Sequence, residues 1–309
     1  MEKDLIGLRD MEPEDIEFIL DTALPMKDIL KRDIKKVPTL RGKAVVTVFY
    51  EASTRTRTSF EVAGKYLSAD TVNLTVATSS VQKGESFIDT IKTLEAMGFD
   101  LMVIRHATSG TPQYAANNTG MSVINAGDGA NEHPTQALLD FFTIREKKKT
   151  LNGLKVVIIG DILHSRVARS NIYGLLKFGC EVRVVGPNTL LPPEVEKLGV
   201  KSYYSLESAL KGADVINVLR LQLERQISGL LPSLDEYSNL FMLRPEHLRL
   251  AKEDAIVLHP GPMNRGVEIS SEIADGGQAF IDEQVTNGVA VRMALLYLMM
   301  GGSKDEIAG

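Results

Sequence analysis

Short apolar runs rich in Val and Ile alternate along this chain with longer stretches of helical character. Each run is too short and too β-branched for a buried helix, so each predicts a strand. Strands that alternate with helices predict an α/β fold built on parallel sheets. The clearest runs are 44–49, 101–104 and 122–125 in the first half, and 156–159, 182–185, 215–218 and 255–258 in the second.

The chain has 309 residues, a length that suits two domains better than one core. A charged, turn-rich segment at Lys147–Gly153 separates two α/β blocks and marks a plausible boundary. The stretch Gln284–Met300 is predicted to form a long helix that could pack on either block. The segment Gln226–Glu246 shows few periodic features, and we interpret it as a long irregular loop of the kind that covers a substrate.

Charge and composition exclude several classes of function. The net charge of −5 provides no basic field for nucleic acid. No apolar stretch approaches ~20 residues, so no membrane partner is expected. The single cysteine, Cys180, allows no intrachain disulfide and no cysteine-based zinc site. It is expected to be a packed free thiol in a reducing compartment. The acidic N-terminus does not read as a signal peptide, so the expected location is the cytoplasm.

The residues after the first strand have the chemistry of a phosphate site. Ser53 is predicted to be a helix N-cap, and residues 54–57 form the first turn, which carries Arg55 and Arg57. Unpaired N–H groups and arginines at a helix start favour a bound phosphate. The lysine and glycines of a nucleotide P-loop are missing. The alternative is a capped surface helix whose arginines pair with carboxylates.

Polar residues also follow the other first-half strands. Arg105 follows the second, and His133-Pro-Thr-Gln136 follows the third, with Pro134 suited to a first helical position. A histidine can donate to a carbonyl oxygen, and a glutamine can accept from an amide. The alternative for His133 is a histidine that is only satisfied within a loop.

The second half presents carboxylate receptors. The segment Gly160–Ser170 resembles a dinucleotide-binding turn, but Ile162 and Ser165 stand where glycines would be required. Arg166 near the next helix start, and Arg220 with Gln222 after a later strand, suit carboxylates. Two prolines around Gly261 hold a loop whose carbonyls could face a ligand. Any one arginine could instead be a structural ion pair. Together the two halves predict a pair of small anionic substrates.

These motifs together resemble the aspartate/ornithine carbamoyltransferase family over essentially the whole chain. The residues that carry the resemblance are Phe49–Arg57, Ser79–Ser86, His133–Gln136, His164–Arg169, Arg220–Arg225 and His259–Ile269. Thr135 and the His259-Pro-Gly-Pro loop favour the aspartate branch, because the ornithine branch usually carries cysteines there. Transfer to another amine, such as ornithine, is the alternative reading.

The resemblance implies an α/β fold of two domains, each a parallel β-sheet flanked by helices, with the C-terminal helix returning to the first domain. Residues 1–135 plus 285–309 would bind carbamoyl phosphate, and residues 136–284 would bind L-aspartate. The carbamoyl group would pass to the aspartate amine, a step of de novo pyrimidine biosynthesis, without metal or cofactor. The family forms homotrimers in which Ser79 and Lys83 reach the adjacent subunit's site. Attachment of regulatory chains is left open.

The resemblance also assigns roles to individual residues. The implied catalytic residues are Arg55, Thr56, Lys83, Arg105, His133 and Gln136. The implied carbamoyl phosphate ligands are Ser53, Thr54, Arg55, Thr56, Arg105, His133, Gln136, Pro260, Gly261 and Pro262. The implied aspartate ligands are Lys83, Arg166, Arg220 and Gln222. The alternative of a binding protein that kept only the fold is disfavoured, because mere binding would not need the carbonyl-polarising set Arg55, Arg105, His133 and Gln136.

Overall fold

The computed structural model describes residues 2–75, 85–221, 230 and 233–302. This part of the chain divides into two compact units. The first unit runs to Leu139 and resumes at Thr286, and the second runs from Asp140 to Val285. Helices α5 (Pro134–Lys148) and α11 (Ile281–Met299) each pass from one unit to the other. The boundary expected from the sequence at Lys147–Gly153 therefore differs from the division by contacts, which falls inside α5.

Each unit contains one parallel sheet with helices. The elements of the first unit are α1 (Pro13–Ile29), β1 (Ala44–Phe49), α2 (Thr54–Tyr66), β2 (Asp70–Thr75), α3 (Phe87–Ala96), β3 (Leu101–His106), α4 (Thr111–Ala116) and β4 (Ser122–Asp128). Those of the second unit are β5 (Lys155–Ile159), α6 (Arg166–Lys177), β6 (Glu181–Val185), β7 (Lys201–Tyr203), α7 (Leu206–Ala209), β8 (Val215–Val218), α8 (Leu234–Phe241), α9 (Pro245–Leu248), β9 (Ile256–Leu258) and α10 (Ser271–Ala274).

The first sheet has the strand order β2-β1-β3-β4, and its paired strands run parallel. Strands β1, β3 and β4 are almost wholly buried because helices cover a parallel sheet on its faces, whereas the edge strand β2 is partly exposed. The C-terminal helix α11 belongs to this core. The hydroxyl of Ser122 donates to the carbonyl of Met299 at 3.0 Å, and the Arg292 guanidinium lies 5.3 Å from the centre of the Phe60 ring. The predicted α/β class and the returning helix are confirmed.

The second sheet has the order β7-β6-β5-β8-β9, again with parallel pairs. Its core is formed by Val and Ile side chains of β5 and β8 together with Tyr237 and Phe241 of α8. Cys180, just before β6, is buried and free as predicted, and its thiol lies 3.0 Å from the carbonyl of Leu151. Burial raises the pKa of this thiol to about 11.

The helix start predicted at Pro134 is confirmed. Ser86 caps α3 by accepting from the Asp89 N–H at 3.2 Å, and α5 begins at Pro134. The prediction of an irregular loop throughout 226–246 is wrong in its second part, where α8 forms behind the Ser233 cap. Residues 226–229 and 231–232 lie outside the described residues. No helix in the described ranges is long and apolar enough to cross a membrane.

Candidate active site

The first candidate site lies where the connections of the first sheet change direction. From β1 the chain moves outward to β2, and β3 and β4 lie on the other side of β1. In such sheets a ligand binds at the carboxyl ends of the strands on either side of this switch. Phe49 at the end of β1 pairs with Arg105 of β3, and the Tyr50 N–H donates to the Arg105 carbonyl at 2.9 Å. The segment that starts α2 and Arg105 thus follow two neighbouring strands.

The start of α2 differs in one detail from the expectation. Ser53 occupies the N-cap position, as predicted. Its side chain makes no capping hydrogen bond, so the predicted capping interaction is wrong. The first turn contains no acidic residue. Arg55 is exposed and Thr56 is buried. A helix N-terminus that carries cations and no acid favours an anionic ligand.

Arg105 is held by groups on both sides. Its Nη1 donates to the Ala126 carbonyl at 3.2 Å, and its Nε lies 3.3 Å from Oε2 of Glu51. The Arg105 side chain is only 14% exposed, so these contacts restrict where the guanidinium can point. Glu51 was not among the predicted site residues. A carboxylate two positions before a predicted phosphate loop was the available signal.

An aromatic cluster supports this strand end. The His106 ring lies 4.7 Å from the Tyr50 ring and 6.0 Å from the Phe87 ring, measured between centroids. Burial lowers the pKa of His106, and its Nδ1 accepts from the Thr108 N–H at 2.9 Å. This hydrogen bond requires an unprotonated Nδ1. A neutral, anchored ring next to Arg105 adds rigidity without adding charge.

His133 and Gln136 sit at the entry to α5, and both are nearly buried. A polar turn holds this entry, because Asn125 donates to Asp128 at 2.8 Å and the Glu132 N–H donates to the same carboxylate at 3.2 Å. The Gln136 N–H donates to the His133 carbonyl at 3.0 Å, which places both residues on the first helical turn. The first unit therefore carries the donors that a phosphate and a polarised carbonyl require.

The second candidate site follows the same rule in the second sheet. The switch lies between β5 and β8, since β6 and β7 extend to one side and β9 to the other. Ile159 pairs with Val218, and the Leu219 N–H donates to the Ile159 carbonyl at 2.8 Å. The residues that continue β5 and β8 are therefore neighbours, and they lead to Arg166 and Arg220 respectively.

Arg166 opens α6 and is 2% exposed. Ser165 caps this helix by accepting from the Ala168 N–H at 3.1 Å. The dipole of a helix start disfavours a cation, so a buried arginine there fits a position that meets negative charge. Just before it, Nδ1 of His164 lies 2.9 Å from Oδ1 of Asp161.

The third strand end in this unit is that of β9, whose Leu258 pairs with Asn217 of β8. It leads into His259 and the loop Pro260-Gly261-Pro262. Gly261 has a φ of +60°, a left-handed conformation in which a Cβ would be strained. The predicted residues Ser79, Lys83 and Gln222 lie outside the described residues. Among the residues that the structure does describe, no group of three or more His, Cys, Asp or Glu is placed to hold a metal ion.

The family models match nearly the whole chain. Residues 3–146 match the carbamoyl-P binding domain of aspartate/ornithine carbamoyltransferase, and residues 152–299 match its Asp/Orn binding domain. The chain belongs to the aspartate/ornithine carbamoyltransferase family. The order of the two family domains agrees with the order of the phosphate-like and carboxylate-like strand ends described above.

Relatives of this family are similar over their full length. The aspartate carbamoyltransferase catalytic subunit of Syntrophomonas wolfei is 76% identical over 305 residues, covering 99% of this chain and 98% of its own. The protein of the same name from Moorella thermoacetica is 67% identical over 301 residues, covering 97% and 98%.

Solved structures show the same similarity. Aspartate transcarbamoylase of Trypanosoma cruzi in complex with carbamoyl phosphate and aspartate is 30% identical, with a TM-score of 0.87 and 95% of each chain covered. The ornithine carbamoyltransferase of Pyrococcus furiosus is also 30% identical, with a TM-score of 0.84 and 97% and 98% covered. The fold is thus shared by both branches, and the higher-identity relatives distinguish them.

Proposed function

We propose that this chain transfers the carbamoyl group of carbamoyl phosphate to the amino group of L-aspartate, giving N-carbamoyl-L-aspartate and phosphate. The observation that carries the proposal is 76% identity, over nearly the whole of both chains, to a relative named for this activity. Ornithine is the less favoured acceptor, because the relatives at 62–76% identity carry the aspartate name.

Carbamoyl phosphate is assigned to the first unit. Ser53, Thr54, Arg55 and Thr56 would bind the phosphate with the N-terminal dipole of α2, and Arg105 would add a second guanidinium. Arg55, Arg105 and His133 would stabilise the oxyanion that develops on the carbamoyl oxygen. Fixed donors aimed at such an oxygen contribute roughly 10²–10³ in rate each. The acid-free first turn of α2 and the braced guanidinium of Arg105 support this assignment.

Gln136 and the loop residues Pro260, Gly261 and Pro262 would hold the carbamoyl NH2 group. An amide NH2 offers two donors, and the side-chain oxygen of Gln136 and backbone carbonyls are suitable acceptors. Held at these groups, the carbonyl carbon would be presented in one orientation to the incoming amine. Orientation of this kind removes much of the entropic barrier of a two-substrate reaction.

L-Aspartate is assigned to the second unit. Arg166 and Arg220 follow two neighbouring strands, and each would take one carboxylate of the substrate; Gln222 and Lys83 would add polar contacts. Planar guanidinium groups bind carboxylates through paired hydrogen bonds, which suits a dicarboxylic amino acid better than ornithine. The attacking amine must lose its proton, and the departing phosphate is the candidate acceptor.

We further propose a homotrimer in the cytoplasm as the working form in pyrimidine biosynthesis, with Ser79 and Lys83 serving the adjacent subunit's site. The relatives' designation as catalytic subunits fits a chain that can also take regulatory partners.

A side-by-side assay tests the proposal. The purified chain is incubated with carbamoyl phosphate and either L-aspartate or L-ornithine, and carbamoylated product is measured by colorimetry. We expect product with aspartate and a rate at least ~10²-fold lower with ornithine, which lacks the second carboxylate. N-(Phosphonacetyl)-L-aspartic acid, which is bound in one Trypanosoma cruzi structure, should inhibit in competition with carbamoyl phosphate. Equal rates with both amines would refute the proposed acceptor.

A further inference from the structure

A buried polar network in the second unit begins at Asp140 of α5. Asp140 is fully buried, and it accepts hydrogen bonds from side-chain amides of three other elements. Nε2 of Gln284 in α11 donates to Oδ1 at 2.7 Å, and Nδ2 of Asn171 in α6 donates to Oδ2 at 2.9 Å. Nδ2 of Asn217 in β8 lies at 3.4 Å from the same Oδ2. This carboxylate therefore fixes the orientation of the Gln284 amide.

Gln284 passes this orientation on to the loop after β9. Its Oε1 accepts from the backbone N–H of His259 at 2.9 Å, while its Nε2 is bound to Asp140. Only one of the two amide orientations satisfies both contacts, because the nitrogen must face the carboxylate and the oxygen must face the N–H. Gln284 is 2% exposed, so water does not compete freely for either end.

His259 and Glu268 complete the network and bind the backbone of the same loop. Nδ1 of His259 accepts from the Gly261 N–H at 2.8 Å, which places the ring proton on Nε2. That Nε2 lies 3.1 Å from Oε1 of Glu268, and the same oxygen accepts from the Asn264 N–H at 2.6 Å. Both side chains are fully buried. The backbone donors of residues 259, 261 and 264 are thus all held by buried groups.

The backbone carbonyls of Pro260 and Gly261, unlike the N–H groups of this loop, have no hydrogen-bond partner among the described residues. Pro260 and Pro262 have no N–H to donate, and no described residue donates to the carbonyl oxygen of Pro260 or Gly261. A polar network that is fully buried costs more to build than an apolar core of the same volume. The network thus ends on one loop, in which the N–H groups of residues 259, 261 and 264 are bonded to buried side chains and the carbonyls of Pro260 and Gly261 accept from no described residue. Holding that loop is therefore the better explanation than stabilising the core.

We propose that Asp140, Gln284, His259 and Glu268 form a positioning relay that orients the carbonyls of Pro260 and Gly261 toward the NH2 group of the carbamoyl donor. None of the four side chains is assigned a contact with substrate. The inference rests on the proposed function, since it needs a ligand with an amide NH2. A displacement of about 1 Å in a group that orients the reacting carbon can cost up to ~10²-fold in rate.

Two variants at Asp140's own partners test the relay. Gln284→Met keeps the length of the side chain and loses both hydrogen bonds. Asn171→Ala is the matched control, because it breaks a hydrogen bond to the other oxygen of the same carboxylate and leaves the arm to His259 intact. Both should lower the unfolding temperature. Only Gln284→Met should lower kcat, by roughly 10- to 100-fold, with the KM for aspartate changed less than about threefold.

A second pair of variants, at Glu268, tests the relay even if the Gln284 variant fails to fold. Glu268→Gln keeps an oxygen that can accept from His259 and Asn264, whereas Glu268→Met removes it. The Gln variant should retain kcat within about threefold, and the Met variant should lose roughly tenfold or more. Equal kcat values within each pair, in chains that are folded, would overturn the relay. A wild-type chain that forms no carbamoyl-aspartate would instead overturn the proposed function on which the relay depends.

Discussion

Replacing Arg55 by alanine should lower activity and leave stability intact or slightly raised. Arg55 is exposed in the first turn of α2, which has no acidic residue. A cation at a helix start opposes the dipole by about 0.3–1 kcal/mol, so its removal relieves an unfavourable interaction. For a chain of this size that corresponds to a rise of about 1–3 °C in the unfolding temperature.

The loss of activity has a separate origin. Arg55 is assigned to the phosphate and to the developing oxyanion, and loss of one such donor costs about 2.7–4 kcal/mol, or roughly 10²–10³-fold in kcat. Arg57→Ala is the control in the same turn. Arg57 acts on Glu61, whose pKa is lowered first by the hydrogen bonds from Lys65 and Asn73 and more weakly by the charge of Arg57. Its removal should therefore cost less than about tenfold in activity.

The measurement combines initial rates of carbamoyl-aspartate formation with thermal unfolding followed by circular dichroism. For Arg55→Ala we expect a large drop in kcat together with an unchanged or higher unfolding temperature. A folded Arg55→Ala chain with kcat within tenfold of wild type would refute the catalytic assignment. A fall of several degrees in the unfolding temperature would show that Arg55 serves the fold instead.

Three further predictions follow from the sites. Arg220→Ala should raise the KM for aspartate strongly and leave carbamoyl phosphate affinity unchanged by calorimetry; an equal loss of both would contradict the assignment of substrates to separate units. Lys83→Ala and Arg55→Ala chains, each nearly inactive alone, should recover about one quarter of wild-type activity when unfolded and refolded together, because random head-to-tail assembly restores that fraction of shared sites. No recovery in trimers shown by native mass spectrometry to be mixed would mean that Lys83 does not serve a neighbour. Burial lowers the pKa of His106, so below about pH 6.5 the unfolded chain binds more protons than the folded one and stability falls as the pH falls. His106→Asn, which can still accept from Thr108, should show a smaller loss of urea resistance between about pH 6.5 and 5; an identical loss would place the acid-sensitive group elsewhere.

The parts of the structure that the sequence predicted well depend on neighbours in the chain. Pro134 at the start of α5 and Arg166 at the start of α6 are signals that act within one helical turn. The α/β class follows from the alternation of β-branched runs, which is also local. Placement of polar residues at strand ends needs only the rule that parallel strands end on the same side of a sheet.

The parts that the sequence did not predict depend on residues far apart. Gln284 and Asp140 are 144 residues apart and meet in the core, and no periodic pattern links them. No role for Glu268 could be predicted from the sequence, because its carboxylate is buried against His259 only in the folded loop. Ser53 shows the converse, since a sound local signal placed the cap but its hydroxyl does not bond to the helix. The helix α8 was not predicted because it lies within 226–246, a segment with few periodic features.

The chain crosses between its two units in two separate helices, and this has a consequence for synthesis. The second unit is one continuous stretch of the chain, whereas the first is completed by residues from Thr286 onward. During translation the hydrogen bond from the Ser122 hydroxyl to the Met299 carbonyl can therefore form only after a further 177 residues have been synthesised. A ribosome-bound chain that ends at Val285 would contain the whole second unit, whereas its first unit would still lack the residues from Thr286 onward. Shortening the chain at its C-terminus should thus damage the unit at its N-terminus.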